Sequence, residues 1–153
     1  MTEVGTVKTA VLFTPASANR ALPYVKAVVE DLVDAASRLK KADETRARAL
    51  AGSPAAGRTP EERERTLRDA DDARRTARDD IGRMVGELER VGVDVKDPAT
   101  GLLDFPGEVD GRRVCLCWKR GEASVTWWHD VEAGYKGRRP LPPAAAADGS
   151  AAV

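Results

Sequence analysis

The sequence lacks the features of a membrane or secreted protein. It has no apolar run approaching the about 18 residues that a membrane-spanning helix needs. Its opening residues, Met1 to Gly5, lack the basic flank and apolar run of a signal peptide. We therefore expect a cytoplasmic protein with no membrane-embedded segment.

An excess of charge of one sign is also missing. Lys+Arg and Asp+Glu both number 25, so the formal net charge at pH 7 is zero. A protein dedicated to nucleic acid normally carries a basic excess, because its lysines and arginines displace counterions from phosphates. We do not expect nucleic acid as a partner.

Cysteine and histidine are scarce, with two cysteines, Cys115 and Cys117, and one histidine, His129. The cysteines are two residues apart on a predicted strand, which places them on one face with Cα atoms about 7 Å apart. That separation is beyond the comfortable reach of a disulfide. We expect two free thiols, as is typical of a reducing cytosol.

The first two thirds of the chain predict a short strand followed by two long helices. Residues 6–13 are rich in β-branched residues and form the predicted strand. Helix one spans 14–50, with a break expected near Pro23 because proline removes a backbone hydrogen bond. Helix two spans 59–91 and begins with a capping box at Thr59. Apolar residues recur at heptad spacing along both helices, which predicts an antiparallel coiled-coil hairpin.

Residues 92–141 change in character to turn residues, aromatics and short alternating runs. Asp97–Gly101 and Asp104–Gly107 match turn signals. Two alternating runs, 113–118 and 123–128, predict a β-hairpin. The sequence thus predicts one α+β domain over 1–141, a long helical hairpin packed with a small antiparallel sheet, and a disordered tail over 142–153.

The register of that hairpin decides whether the cysteines can meet His129. If Lys119 faces Glu122, Cys115 lies opposite Thr126 and Cys117 opposite Ser124, on the side of the hairpin away from His129. This register predicts that the cysteines are packing residues, that no cofactor is favoured, and that the protein carries less than about one equivalent of zinc or iron. A zinc or iron site would need a bulge or shift that brings Cys117 and His129 together with Glu122 or Asp130.

The residues that could carry chemistry concentrate in the segment 96–138. Imidazole transfers protons near neutral pH, so His129 is a candidate catalytic residue, together with Asp130 and Glu122. No Ser-His-Asp order, phosphate-binding loop or metalloprotease motif is present, so the sequence names no catalytic class. The candidate ligand-binding residues are Lys96, Asp97, Trp118, Glu122, Trp128, His129 and Arg138.

Several motifs in this segment resemble an uncharacterised bacterial family, domain-of-unknown-function family 2203. They are Lys96-Asp97, Gly101-Leu102-Leu103-Asp104-Phe105-Pro106, Leu116-Cys117-Trp118, Gly121-Glu122, Trp128-His129-Asp130 and Gly137-Arg138. In this resemblance Cys117, rather than Cys115, occupies the position of the family's signature cysteine. The family has no established activity, so the resemblance implies a fold and the location of a site, and no mechanism.

Three functional hypotheses follow from the sequence. The leading one is a module that binds a small ligand or a protein through the segment 96–138. The second is a metal-binding protein or enzyme that uses His129 and Cys117. The third is a structural adaptor that acts through the helical arm, with a homodimer formed through that arm as one form of assembly.

Overall fold

The computed structural model describes residues 12–142, which form a helical hairpin and one antiparallel sheet. The hairpin consists of α1 (Pro15–Leu50) and α2 (Pro60–Arg90). Each strand of the sheet pairs with the next one along the chain, so the predicted α+β architecture is confirmed. The strands are β1 (Asp94–Asp97), β2 (Leu102–Val109), β3 (Arg112–Lys119), β4 (Trp127–His129) and β5 (Arg139–Pro140).

Helix α1 begins at Pro15, one residue after the predicted start, but it does not break at Pro23. The Ser17 N–H donates to Thr14 Oγ1 (3.1 Å), and the Thr14 N–H donates to Ser17 Oγ (2.9 Å). The helix then runs without interruption to Leu50, so the predicted break is wrong. The Pro23 ring is exposed, whereas its neighbours Leu22 and Val25 are buried in the core. Their burial offsets the roughly 3 kcal/mol that an internal proline costs a helix.

Helix α2 confirms the predicted capping box. The Glu62 N–H donates to Thr59 Oγ1 (3.1 Å), while Glu62 Oε2 accepts hydrogen bonds from the N–H groups of Thr59 (3.1 Å) and Arg58 (2.7 Å). These backbone donors hold the pKa of Glu62 below its usual value. The helix ends at Arg90, one residue before the predicted end.

Most of the predicted strand 6–13 and nearly all of the predicted tail 142–153 lie outside the described residues. Phe13 forms a single parallel bridge to β2 at Gly107. A Cβ atom on Gly107 would lie 2.6 Å from the Phe13 carbonyl oxygen, so this approach requires glycine. The Phe13 ring packs edge-on against Phe105 with centroids 5.2 Å apart.

The sheet has two chemically different sides, because side chains alternate along each strand. One side, which we call the helix-facing side, packs against α1 and α2 and supplies the apolar core. It carries Leu103, Phe105, Val114, Leu116 and Trp118. The strand pairings place Asp104, Pro106, Cys115, Cys117 and His129 on the opposite, outer side.

The part of the hairpin farthest from the sheet, residues 42–77, is held by small side chains and ion pairs. We call it the distal arm. Cross-helix pairs join Arg46 to Asp71 (3.0 Å) and Arg74 to Asp43 (2.5 Å). The buried residues of the distal arm are Ala42, Ala49, Ala56, Ala70 and Ala77.

Among the described residues, no helix combines the length and the apolar character that crossing a bilayer requires.

Shortening the distal arm is expected to leave the rest of the fold intact. Deleting residues 47–67 and joining the ends through a glycine turn removes only two buried alanines, Ala49 and Ala56. Because alanine buries little apolar area, we expect the free energy of unfolding to fall by less than about 2 kcal/mol. Urea denaturation measures this change. A larger loss, or a change of mass in gel filtration, would show that the arm contributes to assembly.

Candidate metal centre

The pairing of β3 with β4 differs from the predicted register. The structure pairs Cys115 with His129 and Cys117 with Trp127, so each cysteine faces a residue three positions later than predicted. An odd shift moves every side chain of the second strand to the other face. The predicted register is therefore wrong, and His129 lies on the same side of the sheet as both cysteines.

Contacts with α1 explain the shift. The Val125 N–H donates to Asn19 Oδ1 (2.7 Å), and Asn19 Nδ2 donates to the Val125 carbonyl oxygen (3.1 Å). Lys26 Nζ donates to the Ala123 carbonyl oxygen (2.9 Å). The Val125 side chain is fully buried in the core. Residues 123–125 therefore pack on α1 instead of pairing with β3, and β4 begins only at Trp127.

The corrected register brings three potential metal ligands together. Asp104 on β2 lies opposite Cys117 on β3, and His129 on β4 reaches the same point. His129 Nε2 is 2.9 Å from Asp104 Oδ1, and the donor atoms of Asp104, Cys117 and His129 all lie within 4.8 Å of one another. Their exposed fractions are 4%, 1% and 2%. We call these three residues the buried triad.

The hydrogen bonds of His129 determine which ring nitrogen is available. Nδ1 is 2.8 Å from the backbone carbonyl oxygen of Asp130, which can only accept, so Nδ1 carries a hydrogen and donates it. This arrangement turns Nε2 toward Asp104 and Cys117. Metal-binding histidines commonly donate their second ring N–H to a carbonyl or carboxylate in this way. Since both ring nitrogens are engaged, His129 is poorly placed to act as a base toward an outside substrate.

Burial makes both thiols weak acids. It raises the pKa of Cys117 to about 11, although Arg138 Nη1, 3.9 Å from Sγ, opposes the shift. Burial and the nearby Asp104 carboxylate also raise the pKa of Cys115, which is half-buried. A thiol that stays protonated at neutral pH is a poor nucleophile. A bound metal ion would replace that proton, because the ligand form is the thiolate.

The carboxylates that the sequence analysis proposed as metal ligands are engaged elsewhere. Glu122 accepts two hydrogen bonds from Arg138, at 2.8 and 3.1 Å, and a third from the Lys119 N–H at 2.7 Å. The Asp130 carboxylate pairs with Arg112. The third donor of the cluster is Asp104 instead.

Arg138 is held between two aromatic rings. Its guanidinium carbon is 4.3 Å from the ring centroid of Trp127 and 4.6 Å from that of Tyr135. Together with the two bonds to Glu122, this stacking fastens the segment 130–138 over the outer side of the sheet. Arg138 thereby lies beside the buried triad, with Nη1 3.9 Å from Cys117 Sγ.

The remaining sequence candidates have other roles. Trp118 is buried on the helix-facing side, and its Nε1–H donates to the Glu122 carbonyl oxygen (3.0 Å). Trp128 is half-buried on that same side, and the guanidinium groups of Arg112 and Arg139 lie over its ring. Asp97 caps its turn by accepting hydrogen bonds from the Ala99 N–H (3.0 Å) and the Thr100 hydroxyl (2.9 Å).

The sequence analysis did not name Asp104 as a candidate site residue and placed it in a predicted turn, Asp104–Gly107. The structure corrects this prediction, because these residues lie inside β2. The Pro106 carbonyl oxygen accepts from the Phe13 N–H (2.8 Å). Because the nitrogen and carbonyl of one strand residue point to the same edge, the missing N–H of Pro106 takes no hydrogen bond from the pairing with β3. The available signal was an aspartate between two apolar residues, Leu103 and Phe105, since a buried acid in a strand normally has a specific partner.

A cavity of about 470 Å³ lies beside the buried triad. Asp104 and His129 form part of its wall, and Cys115 lines it as well. Lys96 reaches the cavity and pairs with Asp94 at 2.7 Å. Other lining residues include Arg113, Val131, Glu132 and Tyr135.

The donor set of the buried triad suits a borderline transition metal. A thiolate, an imidazole and a carboxylate are all ligands of Zn²⁺, whereas Mg²⁺ and Ca²⁺ prefer oxygen donors alone. Two of the three ligands would be anionic, so a divalent ion would make the cluster electrically neutral. Neutrality matters here because the cost of burying net charge is high.

The comparisons with known proteins identify a family but no characterised relative. No curated protein matches the chain, and no solved structure matches it. A family model described as "Uncharacterized conserved protein (DUF2203)" matches residues 11–141, which include every residue of the buried triad. This match confirms the resemblance that the sequence motifs indicated. The chain belongs to the DUF2203 family.

Proposed function

We propose that this protein binds one divalent transition-metal ion, of the zinc or iron(II) class, through Asp104, Cys117 and His129. The observation that carries the proposal is the convergence of three different donors, from three strands, within 4.8 Å in a buried position. One sequence-based objection to a metal site was the predicted register, and that objection does not apply to the observed register.

The alternative is that Asp104 and His129 form a purely structural hydrogen bond. That explanation accounts for the 2.9 Å contact between them and treats the Cys117 thiol as a buried packing residue, but it does not explain why three potential metal ligands converge. It also leaves a buried acid with one side-chain partner in the cluster. A metal ion accounts for all three residues and for the orientation of the imidazole.

The proposal agrees with the leading sequence hypothesis about location. All three residues of the buried triad lie within the segment 96–138. The proposal differs in what is bound, since an ion replaces the unspecified small molecule or protein. It uses His129 and Cys117 as in the second hypothesis, with Asp104 in place of Glu122 or Asp130.

Metal content of the purified protein tests the proposal. We expect wild-type protein, purified without chelator and dialysed against zinc, to carry about one equivalent of zinc, measured by inductively coupled plasma mass spectrometry. Asp104→Asn, Cys117→Ser and His129→Ala should each bind less than about a tenth of that amount. Asp110→Asn is the matched control, because Asp110 is exposed in a turn at a positive φ of 51°, which asparagine also tolerates.

Two results would contradict the proposal. One is wild-type protein that remains free of zinc, iron and cobalt after dialysis with each. The other is equal metal loss in Asp110→Asn and Asp104→Asn, which would indicate non-specific binding. Circular dichroism of each variant establishes that it is folded before its metal content is compared.

A further inference from the structure

Cys115 lies next to the buried triad, on the side of the cavity. It pairs directly with His129 across β3 and β4, just as Cys117 pairs with Asp104 across β3 and β2. The contact between Asp104 and His129 therefore crosses β3 between the two cysteines. Cys115 and both of these residues line the same cavity.

The spacing of the two cysteines suits a shared ion better than a disulfide. Both are free thiols in the structure. Residues two apart on a strand have Cα atoms about 7 Å apart, whereas a disulfide needs a shorter separation. Two thiolates on one tetrahedral zinc ion, each about 2.3 Å from the metal, have sulfur atoms about 3.8 Å apart. Side chains on one face of a strand can converge to that distance.

We propose that Cys115 is the fourth ligand of the ion held by Asp104, Cys117 and His129. This inference rests on the proposed function. Cys115 Sγ is outside the cluster as it stands, but a change between staggered χ1 rotamers moves a sulfur atom by about 3 Å. Directly paired strand residues have Cβ atoms about 5 Å apart, so Cys115 and His129 are close enough to share an ion.

Two cationic side chains lie near the two thiols. Lys96 lines the same cavity as Cys115 and pairs with Asp94 at 2.7 Å. Arg138 Nη1 lies 3.9 Å from Cys117 Sγ on the other side of the cluster. Both cations also pair with carboxylates, Asp94 and Glu122, so the four-ligand site would carry one net negative charge beside two ion pairs.

The fourth ligand determines which metals the site prefers. With Cys115, the ion has four protein ligands, including two soft thiolates, and this closed tetrahedral set favours zinc over iron(II) and manganese. Without Cys115, the site keeps an open position toward the cavity. The identity of this one residue therefore separates a closed zinc site from an open one.

Cobalt(II) in the full-length protein distinguishes the two arrangements, because thiolate-to-cobalt charge-transfer absorption grows with the number of thiolates. We expect Cys115→Ser to bind one cobalt with about half the wild-type charge-transfer intensity, and its zinc affinity to fall at least about tenfold. Cys117→Ser, which is expected to bind little metal, should show almost no charge-transfer absorption. Cys115→Ala repeats the test without a hydroxyl that could itself bind the ion.

The possible failures are distinct. Equal charge-transfer intensity per cobalt in wild type, Cys115→Ser and Cys115→Ala would overturn the role of Cys115 and leave the three-residue site in place. A shift of the wild-type spectrum on adding azide would also overturn it, since it would reveal an open coordination position. If wild-type protein binds no cobalt, the proposed function itself fails.

Discussion

Removing the ion with a chelator is expected to lower the melting temperature of the wild-type protein by about 10 °C or more. An ion present at a thousand times its dissociation constant stabilises the folded state by about 4 kcal/mol. In a domain of this size, each kcal/mol corresponds to about 2–4 °C. The effect is large because the ligands come from β2, β3 and β4, so the ion joins three strands that the unfolded chain does not hold together. Thermal melts followed by circular dichroism measure it.

The chelator experiment has an internal control. Cys117→Ser should melt at the same temperature with and without chelator, because it has no ion to lose. Adding zinc back should restore the wild-type melting temperature. An unchanged melting temperature in wild-type protein that demonstrably loses one equivalent of metal would show that the ion does not stabilise the fold.

Replacing Trp118 by alanine is expected to cost about 3–5 kcal/mol of unfolding free energy. The Trp118 side chain is only 1% exposed and is the largest fully buried side chain of the described residues. Its loss creates a cavity between the sheet and the helices and also removes the hydrogen bond from Nε1 to the Glu122 carbonyl oxygen. The free energy of unfolding is measured by urea denaturation.

Trp128→Ala is the matched control for this second prediction. Trp128 is only half-buried on the same side of the sheet, so we expect a smaller loss. The sequence analysis proposed both tryptophans as ligand-binding residues, and the comparison tests the structural role instead. A cost below about 1 kcal/mol for Trp118→Ala would contradict its placement in the core.

The helices could be predicted from the sequence because their signals are local. The Thr59 capping box located the start of α2, and the predicted span 59–91 agrees with the structure to within one residue. The break at Pro23 could not be judged in this way, because burial of Leu22 and Val25 against other elements outweighs the local cost of proline.

The sheet register depends on contacts that are distant in sequence. The two hydrogen bonds between Asn19 and Val125 join residues 106 positions apart, and they determine where β4 can begin. Counting from the turn at Lys119 gave the wrong partner for each cysteine, because residues 123–125 do not belong to a strand.

The candidate site could be predicted only in part from the sequence. His129 and Cys117 stand out by residue type, since the chain has only one histidine and two cysteines. Asp104 is one of many acids, and it becomes a candidate only when β2, β3 and β4 are aligned. Residue type thus indicated two of the three donors, and the third required the fold.

The contact between Asp104 and His129 also bears on how the chain finds its native pairing. Strand β4 has only three residues, which offers little backbone hydrogen bonding to distinguish one alignment from its neighbours. A slip by one residue would turn the His129 imidazole into the apolar helix interface and the Trp128 indole toward Asp104. Both misplacements are costly, because one buries an unpaired polar ring and the other leaves a buried acid without a partner. A single polar contact across three strands can therefore select against misaligned states during folding, even in molecules that carry no ion.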